Sequence, residues 1–397
     1  IAVDRQASDL HLIAGNKPML RIDGELLAIS EELLEQRFLE ESLVNILEAG
    51  RLREFHEARE LDFSYEVAGH RFRINLHYQE GTIGLAARLI KGDAPKPSEV
   101  GFTDPIMNLT RLKDGLILVT GPSGAGKSTT LAAMVGVINN MRSSHIITIE
   151  DPIEYVFKDS LSIVEQREVG SDTLSFANAL KRVLRQDPNV IMIGEMRDAE
   201  TIAAALTAAE TGHLVFSTLH TNSAAGAFPR LIDLGVDSRI IGSSVNVMLG
   251  QRLVRVLCQH CKKAVSATPE QVTIMRQTLA HYPEPVTIAD GVTIYESVGC
   301  EACGGTGFKG RVGVFEAIII DDKVEEIVIR DPREVMILDA AASQNIPSMA
   351  EDGMIKVLAG VTTIDELERV VDLQNVRRAK DQPAASDEEI DISKYIV

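Results

Sequence analysis

Gly115-Leu-Ile-Leu-Val-Thr-Gly121-Pro-Ser-Gly-Ala-Gly-Lys127-Ser128-Thr-Thr-Leu-Ala-Ala-Met134 joins a short apolar run to a helix-forming run through a glycine-rich turn. The turn matches G-x-x-x-x-G-K-[ST], a loop whose backbone N–H groups wrap a phosphate. The apolar run before it predicts a buried strand, and Ser128 to Met134 predicts a helix whose N-terminal dipole favours an anion. Strand, loop and helix in this order read as a nucleotide-binding α/β core. The loop residues Gly121, Pro122, Ser123, Gly124, Ala125, Gly126, Lys127, Ser128 and Thr129 are expected to hold the phosphates of a nucleotide. Lys127 is expected to reach the β- and γ-phosphates, and the Ser128 hydroxyl to bind Mg²⁺.

A phosphate loop binds nucleotide, but hydrolysis also needs an acid to orient water. Two apolar runs downstream end in acids: Ile146-Ile-Thr-Ile-Glu150-Asp151-Pro-Ile-Glu154, and Val190-Ile-Met-Ile-Gly-Glu195. A third, Thr211-Gly-His213-Leu-Val-Phe-Ser-Thr-Leu-His220-Thr221, ends in a histidine. Ligands bind beyond the carboxyl ends of strands in open α/β sheets, so Glu150, Glu154, Glu195 and His220 become site candidates.

Outward from this core the chain divides. Residues 1–95 predict a small α+β (PAS-like) domain. Apolar residues at helical spacing run from Leu33 to Glu60, including Phe38, Leu43, Ile46 and Leu47. Alternating Leu61, Phe63, Tyr65 and Val67, a turn at Ala68-Gly69-His70, then Phe72, Ile74 and Leu76 predict a hairpin with one buried face. Arg71 and Arg73 fall together on its opposite, exposed face. Residues 96–105, rich in Pro and Gly with their neighbours, are expected as a linker, 106–375 as the ATPase domain, and 376–397 as a flexible polar tail.

Composition narrows the partners. The 397-residue chain has a formal charge of −18, which argues against nucleic acid. It has no apolar run long enough to span a bilayer and no secretory signal pattern, so a cytosolic protein without direct membrane insertion is expected. All four cysteines fall in two C-x-x-C pairs, Cys258/Cys261 and Cys300/Cys303. In a reducing compartment these suit a closed, structural Zn²⁺ site, with redox pairs or core cysteines as alternatives, and His260 could replace one thiolate. The long gap between the pairs predicts that residues 258–313 loop out as their own subdomain.

Gly121 to Ser128, the Glu150-Asp-Pro-Ile-Glu154 box, Gly194-Glu195-Met-Arg-Asp198 and the Thr211–Thr221 box occur in the order and spacing of the secretion ATPase superfamily. The chain most resembles its GspE/PilB group, which serves type II secretion and type IV pilus assembly. PilT-type retraction ATPases are near relatives. The resemblance implies a RecA-like ATPase domain working as a homo-hexamer, with the linker as a hinge. It implies Glu154 as the acid that polarises water, Glu195 as the acid supporting Mg²⁺, and His213 and His220 as γ-phosphate sensors. Arg73 and Arg88 match arginines that reach the nucleotide across a domain or subunit contact, with Arg71 as a substitute. It also implies a position peripheral to the inner membrane, through a platform protein. The cysteine module matches GspE/PilB, whereas the short N-terminus (Ala7-Ser-Asp-Leu-His-Leu) is PilT-like. Assembly or secretion is thus favoured over retraction, with a non-hydrolysing nucleotide-binding regulator and a nucleic-acid translocase as rivals.

Overall fold

The computed structural model describes residues 1–373 apart from Gln6, Asp23, Gly24 and Lys91, so the tail expected over 376–397 lies outside the described residues. The chain forms two compact units. The first comprises Ile1–Ala94 with Ile149–Lys158 and Gln166–Ser175; the second comprises Pro95–Thr148, Asp159–Glu165 and the described residues from Phe176 onward.

In the first unit, strands β1 (Asp9–Ile13), β2 (Met19–Ile22), β3 (Glu25–Ala28), β4 (Glu60–Val67), β5 (His70–Gln79) and β6 (Thr82–Leu89) form an antiparallel sheet in the order β3-β2-β1-β6-β5-β4. The expected hairpin is β4–β5. Ala68 and Gly69 turn it with φ of 52° and 73°, the left-handed pair that matches the twist of two antiparallel strands. The helical stretch read from Leu33 to Glu60 divides into helices Gln36–Ile46 and Ala49–Ala58. Leu39, Leu43 and Phe55 from these helices share a buried core with Phe63, Ile74, Leu76, Ile83 and Leu85 of the sheet. Phe55 stacks on Tyr78 with ring centroids 5.0 Å apart. The opposite sheet face is polar: register places Asp9 opposite Arg88, Arg88 opposite Arg73, and Arg73 opposite Ser64.

A second sheet is mixed, in the order β15-β12-β7-β11-β10-β8-β9. Its strands are β7 (Gly115–Thr120), β8 (His145–Glu150), β9 (Ile163–Glu168), β10 (Val190–Ile193), β11 (Leu214–Leu219), β12 (Val245–Leu257) and β15 (Phe308–Ile319). Strands β12, β7, β11 and β10 run parallel, and β15 is antiparallel to β12. Every residue of β7, β10 and β11 is buried, which explains their mainly apolar composition: a parallel strand covered on both faces has no polar side to show.

Residues 96–105 are more ordered than a linker reading suggests. They contain helix Pro97–Val100 and the start of helix Asp104–Leu109, with Val100 and Ile106 buried. The segment between the cysteine pairs also departs from expectation. It forms a short hairpin, β13 (Lys263–Ser266) with β14 (Thr293–Glu296), and helix Pro269–Thr278. It does not stand apart as its own subdomain. Val272, Met275 and Ile294 share one buried core with Val312, Met354 and Leu367, because the segment is too short to enclose apolar side chains by itself. Among the described residues, no helix is long and apolar enough to cross a membrane.

Candidate active site

The phosphate loop leaves the carboxyl end of β7. Gly121 has φ of 156°, and a Cβ there would meet the Gln251 carbonyl oxygen at 2.6 Å, so a side chain cannot be accommodated without moving β12. Gly126, at the head of helix Lys127–Met141, has φ of 86°, in the left-handed region that glycine adopts without strain. Lys127 is buried at 7% exposure, and its ammonium donates to the carbonyls of Gly121 (2.8 Å) and Pro122 (3.1 Å). Burial lowers its pKa, the Glu195 carboxylate acts to raise it, and Arg252 lowers it further.

Two neighbouring strands deliver their ends to this lysine. Glu195 follows β10 and His220 follows β11; the Thr218 hydroxyl donates to the Gly194 carbonyl at 2.8 Å and ties the two ends together. His220 Nδ1 lies 3.5 Å from Lys127 Nζ, and its Nε2 lies 3.6 Å from a Glu195 oxygen. The second Glu195 oxygen pairs with Arg197 at 2.6 Å. An ammonium can only donate, so the neutral tautomer that suits both neighbours carries its lone pair on Nδ1 and its proton on Nε2, facing Glu195. Burial and the Lys127 charge both lower the His220 pKa, against the opposing pull of Glu195. His220 is therefore expected to stay neutral as pH falls through the ordinary value of about 6.5. An NMR titration of its ring carbons should give a midpoint below that of an exposed histidine; a midpoint at or above it would contradict this arrangement.

The cysteines of both pairs converge. The four Sγ atoms all lie within 4.8 Å of one another, with 3.9 Å between Cys258 and Cys300 and 3.8 Å between Cys261 and Cys303. Sulfurs placed tetrahedrally about 2.3 Å from a centre would be about 3.8 Å apart, so the cluster fits Zn²⁺. None of the four is joined in a disulfide. The amides of Cys300 and Gly307 point at Cys303 Sγ, both at 3.2 Å, and bring its thiol down to about 6, whereas burial pushes Cys261 up to about 11. Four thiolates this close repel one another, and a bound cation is what allows all of them to ionise.

A family profile described as type II/IV secretion system protein matches residues 99–369. The chain is 45% identical over 260 residues to the type IV pilus retractation ATPase PilT of Pseudomonas aeruginosa, covering 65% of this chain and 75% of that protein. It is 35% identical over 381 residues to the type II secretion system protein E of Aeromonas hydrophila, covering 93% and 73%. The chain belongs to the type II/IV secretion system protein family. The crystal structure of the pilus retraction motor PilT with bound ADP superposes with a TM-score of 0.74 at 33% identity, over 94% of this chain and 95% of that one. The fold is thus that of a PilT-like secretion ATPase.

Not every residue matched to the secretion ATPase motifs joins the lysine cluster. Lys127, Glu195 and His220 come together. His213 does not: it precedes β11, whose Leu214 pairs with Gly115 and whose Leu219 pairs with Thr120. It stands at the opposite end of that strand from the phosphate loop, about 20 Å away at strand rise. Its Nδ1 is bound up with the Ala208 carbonyl (2.9 Å) and the Thr211 hydroxyl (3.2 Å). The two boxed histidines thus cap opposite ends of one strand, and only His220 meets Lys127.

Glu154 is exposed and belongs to the first unit, as do Arg73 and Arg88. Arg73 is exposed; Arg88 pairs with Asp9 at 2.8 Å and remains 70% exposed. Arg71 is not on an open face as the alternation suggested. It is half-buried and paired at 2.8 Å with Glu168, a carboxylate only 2% exposed that the sequence reading did not single out. Sequence reasoning also missed Gln251, buried beside Gly126, which accepts from the Thr130 hydroxyl at 2.8 Å. The one available signal was its position midway along a long apolar strand, where a polar residue needs a partner.

Proposed function

We propose that this chain is a Mg²⁺-dependent ATPase motor that works as a homo-hexamer to drive type IV pilus assembly or type II secretion. The observation that carries this reading is the cluster of Lys127, His220 and Glu195 at the carboxyl ends of β7, β11 and the neighbouring β10, around a phosphate loop. ATP occupies the loop Gly121–Thr129 of a RecA-like unit. Lys127 holds the β- and γ-phosphates, and Ser128 and Glu195 support the Mg²⁺ that neutralises their charge. Neutral His220 reports the state of the γ-phosphate to Glu195. Glu154 orients the attacking water, and Arg73 and Arg88 stabilise transferred charge. Zn²⁺ held by Cys258, Cys261, Cys300 and Cys303 is structural, since four protein ligands leave no open position. The motor acts from the cytoplasmic side on an inner-membrane platform protein.

The match to type II secretion protein E extends over 93% of the chain, and this breadth favours assembly or secretion. The higher identity to a PilT over 65% of the chain favours a second reading, retraction. Steady-state ATP turnover tests the motor: the wild type should release phosphate with Mg²⁺, and Glu154→Gln should bind ATP yet lose turnover by on the order of a hundredfold or more. If neither turns over even as a ring, the protein is a nucleotide-binding regulator. In cells, loss of pili or of secreted protein on deletion supports assembly or secretion; pili that form but no longer shorten support retraction.

A further inference from the structure

Glu154 projects from a stretch whose backbone is gripped on both sides. The Ile153 amide donates to Oε2 of Glu168 at 3.0 Å. On the other side, Gln166 Nε2 donates to the Tyr155 carbonyl at 2.8 Å, and its Oε1 accepts from the Phe157 amide at 2.8 Å. Gln166 also donates to Glu150 at 3.1 Å, at the root of the same stretch. Gln166 and Glu168 stand two residues apart on β9, so their side chains leave the strand on one face. Both serve this stretch.

Glu168 is itself held. The same Oε2 accepts from the Ser64 hydroxyl and from Arg71, both at 2.8 Å, so β4 and β5 anchor the grip. The buried negative charge is balanced by a half-buried positive one, and breaking such a pair from one side leaves an uncompensated charge. The Val169 amide, donating to the Glu150 carbonyl at 2.9 Å, closes the brace. The exposed Glu154 side chain thus rises from a backbone fixed at residues 153, 155 and 157. A water-orienting acid needs this, since misplacement by about 1 Å can cost on the order of a hundredfold in rate.

We propose that Gln166 and Glu168 are positioning residues for Glu154, with Arg71 as the counter-charge that keeps Glu168 in place. The proposal rests on Glu154 being the water-orienting acid. The test compares kcat, KM for ATP and Tm of Gln166→Ala and Glu168→Gln, each in the wild-type and Glu154→Gln backgrounds, with single-turnover assays resolving residual activity. Each single variant is expected to lower kcat about tenfold or more with KM within about twofold. Neither should lower the residual rate of Glu154→Gln further, because there is no longer an acid to misplace. Gln166→Ala leaves the buried ion pair intact, so it keeps the test valid if Glu168→Gln fails to fold. An unchanged kcat in Gln166→Ala, or losses that multiply in the Glu154→Gln background, would overturn the proposal while leaving the motor reading standing. Full turnover in Glu154→Gln would overturn the proposal together with the role of Glu154 as the water-orienting acid, while the protein remained an ATPase.

Discussion

Lys127→Ala is expected to lose ATP turnover by at least about a hundredfold and to bind ATP more weakly, while the fold survives. The reason is the setting of the ammonium. It is buried at the head of a helix, so its field on a phosphate is less screened than a surface charge would be. Removing one preorganised donor from such a site costs on the order of 10² to 10³ in rate. The two carbonyls it now satisfies, on Gly121 and Pro122, lie at a loop where water can replace it, and the strand and helix on either side do not depend on it. Turnover assays with equilibrium binding of a fluorescent ATP analogue check the loss, and thermal unfolding checks the fold. Turnover within a few-fold of wild type would remove the phosphate loop from the reaction.

Removing the metal is expected to have the second large effect. Elemental analysis should find one zinc per chain, and a strong chelator or the pair Cys300→Ser with Cys303→Ser should remove it. Structural zinc contributes about 10 to 16 kcal/mol to small metal-dependent folds, but here part of the segment is held by the core that joins Met275 and Ile294 to Met354 and Leu367. The loss is therefore partial: a Tm lower by on the order of 10 °C, with faster amide exchange over 258–307 than around Lys127. Protein with no bound metal, four freely titrating thiols and unchanged Tm would assign the cysteines to another role.

What was legible in the sequence followed from local rules. The phosphate loop announced itself because its fixed positions, Gly121, Gly126, Lys127 and Ser128, each meet a backbone, charge or metal-binding requirement that few residue types satisfy. The β4–β5 hairpin followed from alternation. What stayed hidden depended on long-range pairing. His213 and His220 look equivalent within one box, yet a six-residue strand separates them, and only the parallel register of β11 with β7 shows which end faces the loop. Arg71 and Arg73 share a face by period, but the fate of that face depended on Glu168, nearly a hundred positions away. Gln166 and Glu168 were not singled out, because nothing local reveals that two alternate side chains clasp the stretch around Glu154. Residues 96–105 read as linker since Pro and Gly also begin and end short helices.

Strand β12 has a mechanical consequence. At Gln251 its backbone abuts Gly121 of the phosphate loop, and thirteen residues after it begins it ends directly at Cys258. It pairs with β7 from Val245 to Gly250 and with β15 from Val247 to Leu257, the latter ladder shifting register between Arg255 and Leu257. Those bonds run across the strand, so a pull along its axis loads them together in shear, and none can be unzipped ahead of the others. A pull along β12 therefore loads its ladder in shear as far as Arg255, and the register break before Leu257 makes a compliant joint between that rod and Cys258.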